Sequence, residues 1–98
     1  MTSQKLREYE IVVILSPDAS EAEVEQSHQS TAEFISGRGG SVGETDSWGL
    51  RRLAYPIKKF HEGNYAVTRF SLDAQGVQEL GQNLEASERV LRHLIVRV

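Results

Sequence analysis

The chain has 98 residues, no cysteine and a formal net charge of −3. This length predicts a single domain with one modest core. We expect the domain to span residues 1–98, with residues 1–6 as a flexible N-terminal extension. Without cysteine there is no disulfide framework, thiol nucleophile or thiolate metal site. The longest apolar run, IVVIL, is far shorter than the about 20 residues that span a bilayer. These features predict a soluble, cytoplasmic protein.

The charge is distributed unevenly along the chain. Residues 1–50 carry nine acidic and three basic side chains, a net charge of −6, whereas residues 51–98 carry five acidic and eight basic ones, a net charge of +3. The densest basic segment is DSWGLRRLAYPIKK, at residues 46–59. A local basic face on an acidic body suits a protein that meets phosphate in one place, but an uneven solvated surface would give the same numbers.

The first predicted element is a strand, YEIVVIL at residues 9–15, because this segment is rich in β-branched residues. Alternation along the strand places its odd-numbered residues on one side and the aliphatic Val12 and Ile14 on the other. Pro17 cannot continue a strand ladder, so we expect the strand to end before it.

A helix and a second strand follow. Ser20 and Glu23 have the spacing of a capping box, which predicts the start of a helix. The glycine-rich segment SGRGG, residues 36–40, predicts its end. Residues 41–55 suit a second strand, and Pro56 is expected to end it and to begin a bend.

The remaining elements complete a familiar order. Residues 65–73 predict a third strand by alternation, Asp73 can cap a second helix, and residues 90–98 form a last strand rich in branched residues. The order β-α-β-β-α-β predicts an α+β fold of the ferredoxin-like type, a four-stranded antiparallel sheet with both helices on one face. The other sheet face is left open, and Val12 and Ile14 point to it. An open face with aliphatic side chains is a candidate binding surface.

The sequence argues against catalysis. The histidines at 28, 61 and 93 fall in different elements and lack metal-ligand spacing, and SGRGG lacks the lysine and the Ser/Thr of a phosphate-binding loop. We therefore expect no enzyme activity, no metal and no cofactor. Acylphosphatases share this topology and place an arginine in a glycine-rich loop after the first strand. The corresponding loop here, SPDAS, has neither residue. An acylphosphatase-like hydrolase or ligand-binding domain nevertheless remains the alternative interpretation.

RNA recognition of the ribonucleoprotein-motif type is not supported either. That module stacks bases on aromatic residues of its first and third strands. Its pattern G-F-G-F-V-x-F is absent from EGNYAVTRF, residues 62–70. Tyr9 falls on the side of its strand that faces the helices.

The basic segment carries the most specific signal. GLRRLAYPIK, residues 49–58, closely resembles the ten-position signature of the bacterial small-subunit ribosomal protein number six family. The flanking segments YEIVVILSPDAS, GRGGSVGETDSWG and ERVLRHLIVRV are similar to the opening strand, the helix-to-strand passage and the last strand of that family. The resemblance therefore covers nearly the whole chain.

The resemblance implies a structural component of the small ribosomal subunit. Such a protein binds the central domain of the small-subunit rRNA together with ribosomal protein number eighteen, a small basic partner. This agrees with the charge pattern, since an acidic body attracts a basic protein while a limited basic patch meets RNA phosphate. A self-associating domain that pairs through its open sheet stays a further alternative for the free protein.

The candidate RNA-binding residues are the basic side chains of the signature and of the outer strands: Arg7, Arg51, Arg52, Lys58, Lys59, Arg92 and Arg97. The candidate partner-binding residues are Val12, Ile14, Trp48 and Tyr55. The first and last strands are neighbours in this fold, so their arginines are expected to extend the basic patch. Adjacent Arg51 and Arg52 leave opposite faces of a strand. Trp48 suits a core position or a partner anchor, and Tyr55 suits packing under the bend or stacking on a ribose.

Overall fold

A computed structural model describes residues 5–98. Six elements follow one another in the predicted order, and their bounds are β1 Arg7–Leu15, α1 Glu21–Gly37, β2 Ser41–Ile57, β3 Phe60–Leu72, α2 Ala74–Ala86 and β4 Val90–Arg97. Lys5 and Leu6 precede β1 without regular structure. The first four residues of the expected N-terminal extension lie outside the described residues.

The strands form one sheet in the order β2-β3-β1-β4, and each neighbouring pair is antiparallel. On the odd-numbered side of β1, Ile11, Val13 and Leu15 are buried on the helical side of the sheet, as alternation predicted, and Tyr9 is partly buried. The core that they form with residues of α1, α2, β3 and β4 consists of Ile11, Val13, Leu15, Ile35, Phe70, Leu72, Leu80, Leu84 and Val90. The ferredoxin-like arrangement predicted from the element order is thereby confirmed.

Both helices begin at the predicted caps. The Ser20 hydroxyl accepts a hydrogen bond from the Glu23 N–H at 3.2 Å, and the Glu23 carboxylate accepts one from the Ser20 N–H at 2.9 Å. This reciprocal pair satisfies two of the amides that a helix start leaves unbonded. The hydrogen bond from Ser20, with the charge of Arg89 at 3.1 Å, lowers the pKa of Glu23.

Asp73 caps α2 and also ties the two helices together. Its carboxylate accepts a hydrogen bond from the Gly76 N–H at 3.0 Å and pairs with Arg38 at 3.4 Å. Arg38 follows α1 and reaches Glu79 on α2 as well, at 2.9 Å. Desolvation raises the pKa of the buried Asp73 carboxyl, but these hydrogen bonds and the guanidinium outweigh it, so its pKa lies below the ordinary value.

The β2–β3 connection differs from the prediction. Strand β2 continues through Pro56 to Ile57, and β3 begins at Phe60, which pairs with Ile57. The expected bend over residues 56–64 is therefore the end of a long hairpin with a two-residue turn. Proline is tolerated because β2 is an edge strand and its pairing with β3 is irregular between Arg52 and Ile57.

The sequence predicted that β3 begins at residue 65, whereas it begins at Phe60. Gly63 is a second reason for this difference. Glycine normally indicates a turn, but here it lies inside β3 and is buried. A Cβ at this position would collide with the Cγ2 methyl group of Ile14 and would lie 3.7 Å from Leu53. Gly63 thus serves close packing of β3 rather than a change of chain direction.

The hairpin also builds a second, smaller core on the sheet face opposite the helices. Ile14, Leu53 and Leu91 are buried together there. The partly buried side chains around them are Ile57, Phe60 and Tyr65. This cluster holds the outer part of the hairpin over one end of the open face, so that end of the face is covered.

Candidate RNA and partner interface

The outer part of the hairpin, residues 51–61, is the most basic region of the chain, and we call it the basic hairpin. Its four cationic residues are accompanied by no acidic one, which gives a net charge of +4 with His61 neutral. Within residues 5–98, the ion pairs involve only the cations Arg38, Arg69 and Arg89. The four cations of the basic hairpin therefore have no acidic partner among the described residues and are available to bind an external anion.

The two lysines form the turn itself. Lys58 and Lys59 have φ values of 50° and 73°, in the left-handed region that non-glycine residues rarely adopt. Two-residue hairpin turns of type I′ require positive φ at both positions, and Asn-Gly satisfies this best. Two lysines at this place put two ammonium groups at the end of the hairpin, at a conformational cost of about 1–2 kcal/mol per residue.

The two arginines lie on opposite faces of β2, as predicted. Arg51 is opposite Gly63 and Arg52 is opposite Glu62 in the β2–β3 register, so successive side chains leave opposite sides. Arg51 lies on the open face and donates from Nε to the carbonyl oxygen of Trp48 at 3.2 Å. This bond fixes the base of its guanidinium and leaves the terminal nitrogens available.

Arg92 joins the basic hairpin to the far edge of the sheet. Its Nη1 donates a hydrogen bond to the Tyr55 hydroxyl, across from β4 to the hairpin. Tyr55 is 57% exposed, so its ring is not packed under the turn. Arg92 therefore extends the basic hairpin as the sequence predicted.

Arg7 and Arg97 lie elsewhere. Arg7 is the first residue of β1, and Arg97 pairs with Tyr9 near the same end. The basic hairpin extends from the other end of β1, beyond Leu15. Eight residues of strand separate the two ends, a distance of about 27 Å. The expectation that these two arginines extend one continuous patch is therefore wrong, because antiparallel pairing fixes them at the opposite end of the sheet.

The middle of the open face is apolar over β1 and β4, whereas the Glu10–Arg69 ion pair lies farther along the same face. Val12 is half-buried there, and its β4 partner Leu94 is 55% exposed, followed by Val96 at 42%. Ile14 points to this face as predicted but is only 8% exposed, because Leu53 and Leu91 cover it. Sequence reasoning missed Leu94 and Val96, since their side depends on the β1–β4 register and its bulge.

A flat aromatic surface lies on the β2 side of the open face. The rings of Trp48 and Tyr65 stack at 6.1 Å between centroids with 10° between their planes. The Trp48 indole N–H donates to the Asp46 carboxylate at 3.1 Å. Together with Arg51 they line an open hollow of about 450 Å³. We call Trp48, Tyr65 and Arg51 the aromatic platform. The sequence did not indicate Tyr65, because only the irregular β2–β3 register brings it to Trp48.

Two features that would indicate other classes of protein, a metal site and an acyl-phosphate loop, are not found in the part of the chain that the structure describes. Among residues 5–98, no set of three or more His, Asp or Glu side chains is arranged to hold a metal ion. The loop after β1 contains no arginine or glycine that could cradle an acyl phosphate. Neither helix in this part of the chain has the length and apolarity that crossing a membrane requires.

The fold and the distribution of surface charge define a class of protein, a ferredoxin-like α+β module with one cationic hairpin and a partly apolar sheet face. A family model described as ribosomal protein S6 matches residues 8–97. The chain belongs to this family, as the signature at residues 49–58 predicted. Members of this family are structural proteins of the small ribosomal subunit, so the hydrolase alternative is wrong.

Relatives and a solved structure agree with this assignment. The small ribosomal subunit protein bS6 of Natranaerobius thermophilus is 44% identical over 92 residues, which cover 94% of this chain and 96% of that protein. The bS6 protein of Acidothermus cellulolyticus is also 44% identical, with the same coverage. The crystal structure of 30S ribosomal protein S6 from Thermotoga maritima has a TM-score of 0.88 and 34% identity, and it covers 96% of this chain and 89% of that one.

Proposed function

We propose that this small-subunit ribosomal protein binds the central domain of the small-subunit rRNA through the basic hairpin, and that it does so jointly with ribosomal protein number eighteen. The observation that carries the proposal is the set of four hairpin cations without an ion-pair partner among the described residues. Unpaired cations at the end of a projecting ribbon are suited to phosphate contacts, which supply most of the sequence-independent affinity for RNA.

We infer different roles for the cations from their positions. Lys58 and Lys59 act as point charges at the turn, while Arg51 and Arg92 present planar guanidinium groups that can bind phosphate with two hydrogen bonds. Arg52 lies on the opposite face of β2 and therefore contacts a different stretch of the RNA backbone. The predicted residues Arg7 and Arg97 would form a second, separate contact about 27 Å away.

The partner surface is the apolar part of the open face. Val12 lies at its centre, with Ile14 supporting it from beneath, and Tyr55 borders it. Exposed aliphatic side chains on this face suit the core of a protein interface. The net charge of −3 favours a basic partner such as ribosomal protein number eighteen. A bacterial ribosomal protein works in the cytoplasm, in agreement with the predicted location.

Filter binding to a transcript of the small-subunit central domain tests this function. The protein alone is expected to bind weakly, with an affinity that falls steeply with salt, and to bind much more tightly once ribosomal protein number eighteen is added. Tight binding by the protein alone, with no gain from the partner, would contradict the joint mode.

Charge-matched variants locate the RNA contact. Arg51→Gln and Lys58→Gln should each weaken binding and reduce the slope of log K against log salt by about 0.7–0.9. Arg89→Gln removes the same charge on the helical side, where Arg89 pairs with Glu23 at 3.1 Å. This control should leave the salt slope unchanged. Equal effects of all three substitutions would show that only net charge matters and would overturn the hairpin assignment.

A further inference from the structure

The aromatic platform has features that phosphate binding does not require. Trp48 is the only tryptophan of the chain, and it is 46% exposed. Large aromatic residues are usually buried, since each carries much apolar surface. Trp48 instead lies beside Tyr65, with 6.1 Å between the ring centroids and 10° between the ring planes. Both rings border the hollow.

The surroundings hold the indole in this position. The single polar atom of the indole, Nε1, donates a hydrogen bond to Asp46. The backbone carbonyl oxygen of Trp48 accepts one from Arg51 Nε. Gly49, the next residue, has a φ of 75°, and the β2–β3 register shifts between Ser47 and Gly49. This bulge turns Trp48 onto the same face as Tyr65. The ring is preorganised by four local features before any ligand arrives.

The chemistry of the platform points to one class of ligand. A planar, mostly apolar surface beside a guanidinium matches an unpaired nucleotide, whose base stacks on an aromatic ring while its phosphate meets a cation. The hollow is shallow and widely open to solvent, so a flat ring can reach the aromatic surface. Arg51 supplies a guanidinium beside the rings that can bind the phosphate, while the Asp46 carboxylate is occupied by the indole N–H.

We propose that Trp48, supported by Tyr65, stacks on one unpaired base of the small-subunit RNA while Arg51 contacts the phosphate next to it. This inference rests on the proposed RNA binding and adds a subsite to it. The basic hairpin supplies affinity for any backbone, whereas the platform selects a place where a base is unstacked. It also changes the role predicted for Trp48, which becomes an RNA contact instead of a partner anchor.

The single tryptophan provides a direct readout. Titration of the full chain with the central-domain transcript should change Trp48 emission in parallel with binding, because a stacked base alters the indole environment. A fully paired RNA duplex offers no unstacked base and should bind through charge alone, leaving emission nearly unchanged. Unchanged emission on saturation with the transcript would overturn the proposal.

Two substitutions separate stacking from charge. Trp48→Ala should weaken binding of the transcript roughly five- to one-hundred-fold. Its salt slope should stay at the wild-type value, since no phosphate contact is lost. Trp48→Phe keeps an aromatic face and should retain most of the affinity. Far-UV circular dichroism and the Tm of both variants show whether they are folded, so a loss of affinity in a folded Trp48→Ala protein is specific.

The other outcomes are distinct. Wild-type affinity in Trp48→Ala for RNA alone, with a loss only when ribosomal protein number eighteen is present, would make Trp48 a partner anchor and overturn the stacking site. Failure of the wild-type chain to bind the transcript at all would instead remove the proposed function. In the first case the salt-dependent binding of RNA by the basic hairpin is still observed, and in the second case it is absent.

Discussion

At the scale of single residues, two glycines of α2 look alike in the sequence but differ in their surroundings. A Cβ at Gly76 would lie 2.8 Å from Leu72 Cγ and 2.9 Å from Asp73 Oδ1, the cap of the helix. A Cβ at Gly81 would meet only His93 Nε2, at 3.5 Å, which is an ordinary contact. Gly76 is therefore required by packing, whereas Gly81 only lowers helix propensity.

The Gly76 and Gly81 substitutions should have opposite signs. We expect Gly81→Ala to raise the free energy of unfolding by about 0.5–1 kcal/mol, because alanine loses less backbone entropy in a helix. Gly76→Ala should lower it by about 1–3 kcal/mol through overpacking beside the cap. Urea denaturation of the two variants checks this. Stabilisation by both would contradict the packing at the start of α2.

His28 on α1 is the second residue with a testable consequence. Its Nε2 is buried and has no hydrogen-bond partner among the described residues. Burial lowers the pKa of His28, and the charge of Glu25 opposes this only in part. The unfolded chain therefore binds the proton first, so stability should fall as the pH drops below about 6.5. The lowered pKa values of Glu23 and Asp73 act in a separate window, below about pH 4.5.

Removing the imidazole should remove that pH dependence. We expect His28→Leu to raise Tm at pH 5.5 more than at pH 7.5, because a buried aliphatic side chain needs neither a proton nor a hydrogen-bond partner. His61→Leu, at an exposed position, is the matched control and should not alter the difference in Tm between the two pH values. A Tm difference that stays the same in His28→Leu would show that other groups control this window.

At the scale of elements, the turn of the basic hairpin places two charged residues, Lys58 and Lys59, at positions whose positive φ is unfavourable for them. Replacing Lys58-Lys59 by Asn-Gly should raise the free energy of unfolding by about 1 kcal/mol or more, since both new residues tolerate positive φ. The same replacement should weaken RNA binding and reduce its salt slope. Lys58→Gln with Lys59→Gln removes the charges without relieving the turn, so it should weaken binding with no gain in stability. A less stable Asn-Gly variant would contradict the turn geometry.

Local chemistry explains which elements the sequence could predict. Ser20 and Asp73 bond to amides three residues away, so the helix starts follow from short-range spacing alone. The extent of the hairpin did not follow, because Pro56 and Gly63 usually indicate turns. Their tolerance depends on the edge position of β2 and on the contact with Ile14, both of which are long-range features.

At the scale of the whole molecule, charge separates into two regions. The unpaired cations of the signature project on the basic hairpin, while α1, α2 and the segments around them carry most of the acidic side chains. The signature itself could be found from the sequence, and so could its basic character. The aromatic platform and the exposed aliphatic residues of β4 could not, since both depend on strand register and bulges that a single sequence does not determine.

The central claim is that the basic hairpin meets RNA in the small subunit, and the three lysines of the chain, Lys5, Lys58 and Lys59, allow a direct test. Purified small subunits and the free protein are treated with an amine-reactive reagent, and each lysine is quantified by mass spectrometry. We predict that Lys58 and Lys59 react several-fold more slowly in the subunit, while Lys5 reports separately on the far end of the sheet. Equal reactivity of Lys58 and Lys59 in the subunit and in the free protein would contradict the claim.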